Sequence, residues 1–240
     1  RRSRGLGDVY KRQVLYLKAI RGKPKDLIGD QQVQGFFKIL VVSILIVVFY
    51  LFLTSNFTFT EILRYSLFNV TSILTGTGFT STNYNDWGTP IILLFLFITF
   101  IGGCAGSTTC GVKIFRLQIV FNNSKEMISK LISPNRVVNK RYNGEHLSPE
   151  ITQSVITFLF IFILTFIVLS ILLSFTGLDL LTAFSAAATS ISNVGPGLGQ
   201  VIGPAYSFSQ IPEIAKWLLS FGMLAGRLEF LTLIVIFNKS

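Results

Sequence analysis

EILRYSLFNVTSILTGTGF at Glu61–Phe79 and DLLTAFSAAATSISNVGPG at Asp179–Gly197 decide the fold. Each begins as a semi-apolar stretch too short and too polar to cross a bilayer, Glu61–Thr75 and Asp179–Ser192. Each then runs into a glycine-containing turn, TGTGF at Thr75–Phe79 and SNVGPG at Ser192–Gly197. Placing Gly78 on Gly195 sets an offset of 117 residues, which also brings Ser72 onto Thr189 and Leu67 onto Phe184.

Longer apolar runs flank both stretches. Phe36–Leu53 (FFKILVVSILIVVFYLFL) and Val155–Phe175 (VITFLFIFILTFIVLSILLSF) match the ~30 Å hydrocarbon thickness at 1.5 Å rise per residue. Trp217–Phe237 is long enough as well, although Arg227 and Glu229 interrupt it. A fourth run starts at Pro90 and reaches the glycine-rich Gly102–Gly111 (GGCAGSTTCG), which predicts a helix broken inside the membrane. The order span, half helix, turn, span therefore occurs twice. The fold expected is an all-α membrane protein of two tandem repeats, with re-entrant half helices and the second helix of the first repeat broken.

Composition agrees. The chain is 50% hydrophobic and 13% charged, against about 25% charged residues in soluble domains. Mean hydropathy is +0.61. A net charge of +10 would suggest nucleic acid in a soluble protein; here it asks where the charges sit. Lys18, Arg21, Lys23, Lys25 and Lys38 precede or open the first span. Lys113, Arg116, Lys125, Lys130, Arg136, Lys140 and Arg141 fill the segment between the repeats, whereas the half-helix connections carry only Arg64 and Lys216. The positive-inside rule then puts both termini and the inter-repeat segment in the cytoplasm. No nucleic-acid partner is expected.

The divisions expected are a leader at residues 1–13, the cytoplasmic end of a preceding repeat at 14–35, a pore repeat at 36–121, a cytoplasmic linker at 122–150 and a second pore repeat at 151–240. Arg1–Gln13 has no hydrophobic period and resembles adapter sequence, a native basic arm being the alternative. The apolar pattern starts so abruptly that further sequence is expected ahead of it.

Non-helical backbone at membrane depth is tolerated where it is buried in protein or lines water. Two glycine turns behind half helices therefore suggest a pore rather than two hairpin closures. A half helix ends with its partial negative charge inside the membrane, which favours a cation. Backbone carbonyls can replace the hydration shell of K⁺, and glycine supplies the dihedrals at low bulk. Thr75 and Thr77 add hydroxyl oxygens. Arg227 sits near the middle of its span, where an arginine is costly unless it faces water or a partner. Glu229, two positions on, points away from it on a helix.

Other readings of these residues fail. Gly106–Gly111 followed by Lys113 approximates a phosphate-binding loop, but Val112 displaces the lysine and no Ser or Thr follows it. Cys104 and Cys110 lie outside a C-x-x-C spacing and read as small packing residues, and His146 in NGEHLS reads as solvated.

The motifs TGTGF at Thr75–Phe79, IGGCAGST at Ile101–Thr108, GVK at Gly111–Lys113, SNVGPGLG at Ser192–Gly199 and GRLE at Gly226–Glu229 follow one another as in a known family. Over about Val14–Asn238 the chain resembles the TrkH/KtrB family of bacterial potassium transporters, TrkH more closely. The resemblance implies four repeats around one pore, of which this chain holds the third and fourth. It implies an ion filter at Thr75, Gly76, Thr77, Gly78, Phe79, Ser192, Asn193, Val194 and Gly195. It also implies a gate at Gly102, Gly103, Gly106, Ser107, Thr108, Gly111, Lys113 and Arg227, although Cys110 stands where the family usually has glycine.

K⁺ is the implied substrate, with no covalent cofactor, and the bacterial inner membrane is the implied location. A homodimer and a cytosolic TrkA-like ring of nucleotide-binding subunits are the implied partners. The rival readings are a membrane anchor that docks a soluble protein through its basic loops, and an intramembrane enzyme. The latter lacks a catalytic constellation at depth.

Overall fold

The computed structural model describes residues 29–105, 107–133, 141–142, 145–146 and 149–227. The N-terminal leader, Gly106 and Glu229 fall outside them. Helix α1 spans Gln31–Thr54 and starts where the Asp30 carboxylate accepts from the amides of Gln32 and Val33. Helix α2 spans Phe59–Leu74, and its first turn is closed by Glu61, whose carboxylate accepts from the hydroxyl and amide of Thr58. Those bonds, the hydroxyl's first, hold the Glu61 carboxyl below its ordinary range.

Helix α3, Thr89–Phe100, follows a 3₁₀ turn at Tyr84–Trp87. Tyr84 is fully buried there and stacks on Phe95, and burial raises its phenol pKa. The chain then leaves helical geometry. Strand β1 (Ile101–Gly102) pairs in parallel with β2 (Val112–Lys113), and a loop lies between them. Helix α4, Ile114–Ile132, continues past the boundary drawn at residue 122.

Strands β3 (Arg141–Tyr142) and β4 (Glu145–His146) form an antiparallel pair around an Asn-Gly step. The sequence reading had only a polar loop here. Helix α5 is Pro149–Ser174, α6 is Leu180–Ser192, α7 is the single turn Gly199–Ile202 and α8 is Glu213–Arg227.

Among the described residues α1 and α5 are long and apolar enough to cross a bilayer. Helix α3 has 12 residues because its apolar run ends in the broken segment. The run at Trp217–Phe237 begins earlier than read, at Glu213, and its part beyond Arg227 lies outside the described residues. Large apolar side chains cover the outsides of α1 and α5, including Phe49, Phe52, Phe160 and Ile163.

Two hydrophobic clusters organise the interior. One joins α1, α2 and α3 through Val47, Leu51, Val70, Ile73, Ile91 and Phe95; the other joins α5, α6 and α8 through Phe162, Leu173, Ala187, Ile191 and Leu219. Val194 and Leu198, which follow α6, are buried in the first cluster. The turn after the second short helix is thereby inserted into the core of the first half.

Helix α8 reaches α6 through Gly222 and Gly226, a G-x-x-x-G spacing. A Cβ at Gly222 would come within 2.7 Å of Leu169 and Ser190, and one at Gly226 would strike the Ile191 carbonyl. Small residues at this spacing let helix backbones approach closely, as in membrane helix pairs. Overpacking such a seam costs about 1–3 kcal/mol.

Candidate functional site: two glycine turns over a broken helix

Both turns hang from the C-terminal ends of their short helices by the same hydrogen bonds. The amide of Gly76 donates to Ile73 and that of Thr77 to Ser72; 117 residues on, Asn193 donates to Ser190 and Val194 to Thr189. The left-handed positions recur as well, with Gly76 at φ 68° and Asn193 at 51°, and Gly78 at 78° and Gly195 at 117°. Asparagine tolerates this region better than other non-glycine residues, and Asn193 ends α6 there.

A trans peptide points its N–H and C=O in opposite directions. Because the amides of Thr77 and Gly78 turn back to Ser72, the carbonyls of Gly76 and Thr77 point away from the end of α2. In the second turn the amide of Val194 goes to the Thr189 carbonyl and that of Gly195 to the Thr189 hydroxyl, 2.8 Å away, so the Asn193 and Val194 carbonyls are sent away from α6. The turns meet directly. A side chain on Gly78 would run into the Val194 carbonyl and approach Pro196.

Buried and half-buried polar side chains hold this geometry, and most of them carry no signal in the sequence. Asn69, fully buried on α2, donates to Ser81 and accepts from the Ser81 amide at 3.0 Å. Ser185, on α6, accepts from the Leu198 amide. Asn85 links the two halves, donating to the Gly199 carbonyl at 2.8 Å while its own carbonyl accepts from the Gly199 amide. Thr80 donates to the Pro204 carbonyl. The Asn193 side chain donates to the Met223 carbonyl on α8.

The expected hydroxyl contribution is partly used within the turn: Thr75 donates back to Thr71 and lies 2.8 Å from the Thr77 hydroxyl. Phe79 is exposed, Val194 is buried, and the buried Ser192 hydroxyl has no partner among the described residues.

The broken segment lies beside the first turn. Thr109 is the neighbour that a Cβ on Gly76 would meet, at 3.4 Å. The segment is tied internally, with the Gly103 amide donating to the Thr109 hydroxyl and Ser107 bonded to both Cys104 and Thr109. It is tied to α1 through the Ala105 amide and the buried Gln32 side chain. Gly111 has φ 77°, and a Cβ on Gly102 would strike the Cys110 carbonyl, so β1 and β2 can pair only because these positions lack side chains.

Arg227, at the end of α8, donates to the Thr108 carbonyl at 2.6 Å and lies 3.8 Å from the Cys110 sulfur. The partner that its expected depth demanded is thus a backbone carbonyl of the loop. Lys113, Arg116 and Arg227 line one cleft of about 210 Å³ with the hydroxyls of Ser107, Thr108 and Thr109. Arg116, read from the sequence only as one of the basic residues between the repeats, joins this cleft; its guanidinium lies 3.7 Å from the centre of the Phe158 ring. Cys104 and Cys110 are free thiols. Of the expected gate residues, Gly106 lies outside the described residues; the others border this loop or its cleft.

The family model described as TrkH, a cation transport protein, matches residues 26–240. The Trk system potassium uptake protein TrkI of Halomonas elongata is 44% identical over 223 residues, covering 93% of this chain and 45% of that protein. The Trk system potassium uptake protein TrkH of Vibrio parahaemolyticus is 36% identical over 220 residues, 90% of this chain and 44% of its own length. A crystal structure of the potassium transporter TrkH from Vibrio parahaemolyticus superposes with a TM-score of 0.86 at 33% identity, covering 94% of this chain and 48% of that one. The chain spans about half the length of the curated relatives it matches. A match this extended, to transporters rather than enzymes, carries one conclusion: the chain belongs to the TrkH family of cation transport proteins.

Proposed function

We propose that this chain forms half of a K⁺-conducting pore, with two of its filter turns and its gating loop. The observation that carries the reading is the doubled turn. At an offset of 117 residues the same amides turn inward, and in both copies the carbonyls they release face away from the helix end. That arrangement concentrates backbone oxygens where a short helix already directs its negative end, which suits a dehydrated monovalent cation. The recurring hydrogen bonds support two tandem repeats, and the shortness of α2 and α6 supports re-entrant half helices between membrane-crossing ones. The relatives are named potassium uptake proteins, which favours K⁺ as the ion.

Beneath the turns, the loop of residues 103–111 acts as the gate, and Arg227 latches it. The basic cytoplasmic surface takes the regulatory ring that the family resemblance implies, in a homodimer in the inner membrane. The anchor reading leaves the paired turns without a purpose. The test is Rb⁺ uptake by the full-length protein in liposomes under an inward gradient. Uptake that K⁺ competes away and Na⁺ does not is the expected result; a well-folded protein that passes Rb⁺ and Na⁺ alike, or neither, contradicts the proposal.

A further inference from the structure

The two turns are built alike but are not held alike. In the first, the amides of Thr77 and Gly78 share one acceptor, the Ser72 carbonyl, at 2.9 and 3.3 Å. The Ser72 hydroxyl is buried and has no partner among the described residues. In the second, the two amides have separate acceptors. Val194 uses the Thr189 carbonyl at 3.1 Å, and Gly195 uses the Thr189 hydroxyl at 2.8 Å. Thr189 is 3% exposed, so water does not compete for that bond.

We propose that Thr189 is a positioning residue for ion selection, its hydroxyl fixing the direction of the Val194 carbonyl through the Val194–Gly195 peptide plane. The proposal rests on the reading of the turns as a filter and goes beyond it. The peptide is planar, so whatever holds the Gly195 N–H also aims the Val194 C=O. That carbonyl is the atom against which Gly78 packs, and the aim of one peptide therefore sets the spacing between the two turns. Gly195 needs such a restraint. Its φ is 117°, and no atom lies within 4 Å of the position of a Cβ, so on the Gly195 side packing does not fix the backbone. Asn193, bonded to Met223, anchors the turn one residue earlier but does not reach this peptide. Serine at the equivalent position of the first turn has no hydroxyl partner among the described residues, so the first turn lacks this restraint.

The test compares Rb⁺ and Na⁺ uptake by the full-length protein carrying Thr189→Val, Thr189→Ser or, as a packing control, Ser66→Ala, which removes another buried hydroxyl without a partner among the described residues. Thr189→Val keeps the shape and removes the acceptor. It is expected to lower the Rb⁺/Na⁺ ratio about fivefold to tenfold, the size of one lost hydrogen bond. Thr189→Ser restores the ratio, and Ser66→Ala leaves it at the wild-type value. A wild-type ratio in Thr189→Val overturns the proposal. So does a low ratio that serine fails to restore, because the methyl group and not the hydroxyl would then be responsible.

If Thr189→Val does not reach the membrane, Thr189→Ala set against Thr189→Ser gives the same decision. Gly78→Ser in the same assay separates the two levels. Selectivity lost there and kept in Thr189→Val removes only the role of Thr189; selectivity kept in both removes the filter reading itself.

Discussion

Gly78→Ser in the full-length protein lowers the Rb⁺/Na⁺ uptake ratio by about tenfold or more, and Gly195→Ser lowers it by less. Both positions have positive φ, 78° and 117°, where a side chain costs about 1–3 kcal/mol of backbone strain. At Gly195 strain is the whole effect, because the space around its missing Cβ is empty. At Gly78 a Cβ also runs into the Val194 carbonyl and comes within 3.2 Å of Pro196, so the second turn must retreat as the first one distorts. A displaced carbonyl ring coordinates K⁺ less well and loses its advantage over Na⁺. Tracer uptake of both ions, normalised to protein in the membrane, checks the order. Equal ratios in wild type and Gly78→Ser, or a larger loss in Gly195→Ser, would refute the packing argument.

In the full-length protein, Arg227→Ala is expected to raise K⁺ flux at low driving force by about tenfold and to weaken its dependence on the proposed regulatory partner. Two effects act together. The guanidinium bond to Thr108 holds the loop next to Gly76, and hydrogen bonds to charged groups are worth about 1.5–3 kcal/mol. The fixed charge, with Lys113 and Arg116 in the same cleft, also raises the barrier to a cation. Arg227→Lys separates them by keeping the charge while shortening the reach to the carbonyl. If the latch dominates, lysine behaves like alanine; if charge dominates, it behaves like wild type. Flux measured with and without the partner decides between them. Wild-type behaviour of a folded Arg227→Ala protein would leave Arg227 a packing charge.

What was legible in the sequence was whatever depends on neighbours along the chain. The apolar runs gave α1 and α5, and the glycine-rich Gly102–Gly111 that ends the run from Pro90 gave the helix break. The short amphipathic stretches gave α2 and α6 to within two residues at either end. Two local signals were present and unread: the Asn-Gly step between β3 and β4 in the sequence and the Gly222–Gly226 spacing that seats α8 on α6.

The remainder is long-range and has no local signature. Arg227 demanded a partner, but a backbone carbonyl is offered by every residue, and nothing singles out Thr108 from 119 positions away. Asn85 is one of two side-chain amides in the polar segment Thr80–Gly88, yet it pairs with both backbone groups of Gly199. Thr189 aligned with Ser72 as one small hydroxyl with another. The difference between them exists only in where each hydroxyl points.

In the proposed filter, the carbonyls released by the two turns bind the ion. Rb⁺ scatters anomalously and substitutes for K⁺, so crystals of the full-length protein grown in Rb⁺ test it most directly. Anomalous density is expected between the Thr75–Phe79 and Ser192–Gly195 turns, within coordinating distance of the Thr77 and Val194 carbonyls, and is expected to be lost in Gly78→Ser. Density confined to other sites, with these carbonyls left uncoordinated in a well-ordered filter region, would contradict it.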